Sequence, residues 1–195
     1  MGKGQDTRQE ILDTALALVS TEGLEPVSIG KLAQQVGMSK SGLFAHFESK
    51  EDLQICVLHE ASDRFVRKVL APALGKPRGE PRLRAFFNNW IDWENGEFPG
   101  GCVFHAAAAE LDDQPGPVRD VLVEIQRDLF DAIATMVRAG IESGKFRDGL
   151  EPEQCSFELL SMLAGYSRLS RLLRMPNAEA RARLAFDDFI NRISS

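Results

Sequence analysis

Long apolar runs are missing from this 195-residue sequence, and nothing in it approaches the roughly 18 consecutive apolar residues of a membrane-spanning helix. The polar start MGKGQDTRQE has no apolar core of the kind a signal peptide needs. Cysteine is scarce: Cys56, Cys102 and Cys155 are too few and too scattered for a disulfide scaffold, and an odd count leaves one unpaired. These absences predict a chain of the reducing cytoplasm. Glycine-rich phosphate loops and metal-ligand motifs of accepted spacing are also lacking, so neither a nucleotide cofactor nor a resident metal is expected. Repeats and low-complexity segments are absent. What is present is 44% hydrophobic residues, enough to bury the core of one ordinary domain or of one domain with a small appendage.

The apolar residues recur at helical spacing from one end to the other. Thr7 and Glu10 stand as a capping box before the stripe Ile11, Leu12, Ala15, Leu16, Val19, which Gly23 ends. Pro26 breaks the chain ahead of Ser28, a cap for the next helix. Ser49 and Asp52 open a long helix carrying Leu53, Val57, Leu58, Ala61, Phe65 and Leu70. The stretch APALGKPRGEP, from Ala71 to Pro81, reads as a loop. Beyond it come helices from about Pro81 to Asn95, from Cys102 to Leu111, from Val118 to Ile141, from Pro152 to Leu172, and a last one capped by Asn177 and bearing Leu184, Phe186, Phe189 and Ile193. No strand pattern survives, and the expected fold is all-α with about nine helices.

The stretch SIGKLAQQVGMSKSGLFAHFESKEDL, from Ser28, organises the rest. Leu32, Ala33 and Val36 form one short apolar face, Gly37 permits a tight turn, Met38 tucks inward, and Ser39 caps a second helix with Leu43, Phe44 and Phe47. Two helices joined by a short glycine-containing turn make the helix-turn-helix pattern, which either places its second helix in the DNA major groove or serves a purely structural end. Charge qualifies the reading. The whole chain has 23 Lys and Arg against 29 Asp and Glu, a net charge of -6. Between Ser28 and His46, however, there are Lys31 and Lys40 and no carboxylate, so this surface is expected to be locally positive or neutral. The acidic remainder repels DNA and leaves binding dependent on a few placed contacts.

The segment ILDTALALVSTEGLEPVSIGKLAQQVGMSKSGLFAHFESKEDL resembles the amino-terminal signature of the tetracycline-repressor (TetR) family of bacterial transcription regulators. It has a glycine at the first helix end, Leu-Ala in the second helix, Gly-Met-Ser at the turn, and the Leu-Phe-x-His-Phe run; GGCVF resembles a motif of some subgroups. The resemblance implies a three-helix DNA-binding domain at residues 1–49 and a helical effector-binding and dimerisation domain at 50–195. It implies a recognition helix from Ser39 to Phe47, with Ser39, Lys40, Ser41, Phe44 and His46 facing DNA and Ser28, Lys31 and Lys50 contacting phosphates. Lys40 meets either a guanine edge or a phosphate. Phe44 lacks the tyrosine hydroxyl often found there, and Gly30 has no side chain where some relatives place arginine. A homodimer through the last two helices, a palindromic operator, repression, and release by a small ligand are implied as well.

In the body, Phe86, Trp90, Trp93, Phe104, His105, Phe130, Met162 and Tyr166 are candidates to line an apolar or aromatic effector cavity, although the same residues at helical spacing also make ordinary core. Cys56 with His59, and Cys102 with His105, have a spacing that puts each pair on one helical face, and two such pairs brought together would suit zinc; plain packing is the commoner outcome. Cys102 at a helix start also has the placement of an oxidant sensor or of a small structural residue. An enzyme is not expected, because cysteine and histidine one turn apart lack an oxyanion device and a third group to orient the base.

Overall fold

A computed structural model describes residues 3–195; Met1 and Gly2, which open the polar amino-terminal segment, lie outside the described residues. Among the described residues there are ten α-helical elements, one of them a single turn, and two π-helical turns, with no strand, and an isolated bridge joins Phe146 to Ser194. The backbone divides into two compact units, one of residues 1–65 with 95–125 and the other of residues 66–94 with 126–195.

The first unit contains α1 (Lys3–Glu22), α2 (Ile29–Gln35), α3 (Lys40–Phe44), α4 (Lys50–Phe65) and α7 (Val103–Leu111). Its core is the predicted stripe: Ile11, Leu12, Ala15, Leu16 and Val19 of α1 are buried together with Leu32, Leu43, Phe47, Leu53, Val57 and Leu58. α1 starts at Lys3, four residues before Thr7, so the Thr7/Glu10 pair lies inside the helix and not at its start. The cap at α4 forms as expected: the Asp52 N–H donates to Ser49 Oγ at 3.0 Å, and the Asp52 carboxylate accepts the Glu48 N–H at 3.0 Å. α1 and α4 are tied by Arg64, whose guanidinium bonds Glu60 at 2.7 Å and also pairs with Asp13.

The second unit opens with a π-helical turn, Val66–Leu70, directly after α4, where a continuous α-helix to Leu70 was expected. The turn α5 (Ala71–Leu74) then occupies the start of the predicted loop, since Pro72 sits in its first turn, where a missing N–H costs nothing. α6 (Glu80–Gly96), α8 (Pro117–Glu142, which begins in the first unit), α9 (Pro152–Ser167) and α10 (Ala178–Ile193) follow. α9 runs into a second π-helical turn, Arg168–Leu172. Asn177 occupies the position before α10, but with φ of 61° and no capping bond from its side chain. The predicted side-chain cap is therefore replaced by the left-handed backbone that asparagine tolerates. Phe87 of α6 stacks on Phe186 of α10 at 4.2 Å, and Arg84 Nη1 reaches Asp187 at 2.7 Å across the same pair of helices.

Candidate nucleic-acid interface

The helix-turn-helix is built by local chemistry. Ser28 takes an extended conformation and accepts the Lys31 N–H at 3.3 Å, capping α2. At the other end Gly37 adopts φ of +68°, and the Met38 N–H returns to the Ala33 carbonyl at 2.9 Å while Gly37 N–H bonds Gln34. This is the 6→1, 5→2 pattern that closes a helix with a left-handed residue, and glycine is the residue that takes it without strain. Ser39 then caps α3, accepting the Gly42 N–H at 3.1 Å, with its hydroxyl also 3.1 Å from that of Ser41. The α-helical part of the recognition segment is Lys40–Phe44, shorter than the expected Ser39–Phe47; Ala45 and His46 continue as a turn.

Burial separates the two faces of this segment. Leu43 and Phe47 are fully buried, with the Arg8 guanidinium 5.3 Å above the Phe47 ring. Ser39, Lys40, Ser41 and Phe44 are exposed, Phe44 at 53%, and His46 is half-buried with its ring 6.4 Å from that of Phe47. Lys40 crosses α2: a Cβ at Gly30 would lie 3.1 Å from Lys40 Cε and 3.5 Å from its Nζ. The absent side chain at position 30 thus leaves room for the end of the Lys40 side chain. Among the described residues no carboxylate pairs with Lys40. Lys31 and Lys50 differ, since Lys31 pairs with Glu22, and Lys50 Nζ lies 2.7 Å from Glu25 Oε1 and holds the Glu25 carboxyl below its ordinary pKa.

One residue of this site has no signal in the sequence pattern. Glu110, on α7, accepts the Leu24 N–H at 2.9 Å and the Glu25 N–H at 2.7 Å, one on each carboxylate oxygen. Gly23, at φ +91°, leaves the room, because a Cβ there would fall 1.7 Å from Glu110 Oε1. Gln54 adds a buried bond to the Leu24 carbonyl at 3.1 Å. Only its long reach back to the α1–α2 corner distinguishes Glu110 from an exposed acid at a helix end.

The candidate effector residues are shared between the two units. Phe104 and His105 belong to the first unit, where Phe104 meets Phe65 edge-on at 6.1 Å, and burial lowers the His105 pKa. Phe86, Trp90, Trp93, Phe130, Met162 and Tyr166 belong to the second, where Trp90 meets Tyr166 edge-on at 6.1 Å. Met162 and Tyr166 line a cleft of about 250 Å³ with Leu169, Met175 and Arg181, between α9, its π turn and α10. Phe86, Trp90 and Trp93 are buried, and the Phe130 carbonyl accepts Ser156 Oγ at 2.8 Å. The three cysteines are free thiols; burial and Asp52 push the Cys56 thiol up, and Cys102 is buried at the start of α7. Among the described residues no cluster of metal-ligating side chains contains both Cys-x-x-His pairs. No helix is long and apolar enough to cross a membrane, among the described residues.

A three-helix head with a capped, half-exposed recognition helix, in a chain made of helices throughout, defines a helical DNA-binding regulator. The chain belongs to the TetR family: residues 11–55 match the family model "Bacterial regulatory proteins, tetR family", and residues 79–186 match "Tetracyclin repressor-like, C-terminal domain". Among curated relatives, the HTH-type transcriptional repressor AcnR of Corynebacterium diphtheriae is 25% identical over 165 residues, 85% of this chain and 80% of that one. The fatty acid metabolism regulator protein of Bacillus subtilis is 21% identical over 142 residues, 73% and 72% of the two chains. HTH-type transcriptional regulator AcrR of Shigella flexneri is 41% identical, but over 51 residues, 26% and 24%. The fold is shared with a TetR transcriptional regulator from Chloroflexus aurantiacus, at a TM-score of 0.86 and 24% identity over 98% of this chain and 96% of that one. It is also shared with reduced NemR of E. coli, at 0.82 and 19% over 97% and 98%.

Proposed function

We propose that the protein is a repressor that binds a palindromic operator as a homodimer through α9 and α10, and that a small apolar or aromatic effector releases it. The observation that carries the dimer is the apolar surface of these elements: Phe157 of α9, Leu172 of its π turn and Leu184 of α10 are 60%, 70% and 65% exposed. Apolar side chains in such numbers on adjacent helices mark an association face. A two-fold dimer presents its recognition helices roughly 34 to 36 Å apart, one turn of DNA. Ser39, Lys40, Ser41, Phe44 and His46 then meet the major groove, with Ser28, Lys31 and Lys50 on phosphates. The cleft at Met162 and Tyr166 supports an apolar effector, with Arg181 as the charged group at its wall.

Selection of bound sequences from a random duplex pool tests the reading. An enriched inverted repeat is expected, and enrichment of a single unrepeated half-site would reject the dimeric mode.

A further inference from the structure

Two of the lysines assigned to phosphates are already engaged by carboxylates in the DNA-free head, and both carboxylates lie at the α1–α2 corner. Glu22, the last residue of α1, pairs with Lys31 of α2, and Glu25, three residues on, takes Lys50 at the start of α4. Lys40 on the recognition helix has no such partner among the described residues. The cations flanking the reading helix are thus covered and the cation on it is open.

Surface ion pairs often contribute little, because two long side chains must be ordered to form them. Here one partner is held at its backbone. The Glu25 N–H and the Leu24 N–H are both taken by Glu110, the Leu24 carbonyl is taken by Gln54, and Gly23 admits the Glu110 carboxylate. The corner is fixed on two sides, by α7 and by α4, so Glu25 is presented to Lys50 from an ordered peptide. A carboxylate accepting from an ammonium makes the same kind of charge-assisted hydrogen bond that a phosphate oxygen makes.

We propose that Glu22 and Glu25 are built-in stand-ins for DNA phosphate, which hold Lys31 and Lys50 in the free head and must be displaced when DNA binds. This rests on the assignment of Lys31 and Lys50 as phosphate contacts. Each displaced carboxylate is left to water and counterions, which offsets part of the counterion release that drives binding to DNA. The pairs therefore lower affinity for any duplex and flatten its salt dependence.

A double-mutant cycle on a random-sequence duplex, measured at low salt and repeated across a salt series, tests this, using wild type, Glu25→Gln, Lys50→Ala and the double variant, with thermal unfolding to check each fold. Lys50→Ala is expected to weaken binding. Glu25→Gln is expected to tighten it by about threefold and to steepen the salt dependence, the size of one exposed ion pair. In the Lys50→Ala background the same change should gain little. Equal tightening in both backgrounds would overturn the proposal, since it would reveal only the loss of a repelling charge. No effect of Lys50→Ala itself would overturn the phosphate assignment first and the proposal with it. Glu22→Gln with Lys31→Ala repeats the cycle at the second pair.

Discussion

Glu110 does across 85 residues what the side chain of a turn does locally: it accepts the Leu24 and Glu25 N–H groups in the corner that follows α1. Replacing Gly23 by alanine would strain a left-handed backbone and drive a methyl group into that carboxylate. We expect Gly23→Ala to lower stability by about 1–3 kcal/mol, the cost of the strain and of the lost bonds, in a denaturant melt. A change within a few tenths would mean that the corner relaxes freely. His105 offers a different test. Burial lowers its pKa, so the folded chain resists a proton that the unfolded chain accepts near the ordinary value of 6.5. Its contribution to stability is present above that value and is lost as pH falls through the folded one. The melting temperature should fall as pH drops below about 6.5, and that of His105→Gln should fall less; parallel curves would contradict this assignment.

At the scale of the element, the recognition segment is ordered by its caps and by Leu43 and Phe47 beneath it, so its exposed side chains can be changed without loss of fold. Lys40→Ala and His46→Ala should weaken operator binding while melting with wild type. If Lys40 reads a guanine, the loss is about 1–3 kcal/mol and confined to one base position; if it meets a phosphate, all sequences weaken alike. Unchanged affinity in both variants would reject this face. Much of this element was legible in the sequence because its determinants are local: Ser39 caps three residues on, and Gly37 turns the chain where it stands. The π-helical turns at Val66 and Arg168 were not legible, since one extra residue in a turn leaves the spacing of nearby leucines and valines almost unchanged. Glu110 was illegible for a stronger reason. Its partners are backbone amides far away in the chain, which have no residue type to announce them. The effector candidates were ambiguous in kind, because Phe86 deep in the core and Tyr166 on the cleft wall carry the same apolar, helical pattern.

For the whole molecule, the apolar side chains on α9 and α10 set the expected assembly. A charge at Leu184, as in Leu184→Glu, should shift the protein to a monomer in light scattering and cost at least tenfold in operator affinity, since one head loses the benefit of its tethered twin. A dimer that persists unchanged would place the interface elsewhere. The division into units has a practical consequence for engineering. Residues 95–125 return to the unit that residues 1–65 begin, and Glu110 lies within that returning segment. A chimera that grafts the amino-terminal piece alone onto another regulator's body would import the reading helix but leave behind the acid that holds its neighbouring corner. Such a graft should carry over the base preference and lose the native tightness, unless the recipient body happens to supply an acid at the same place.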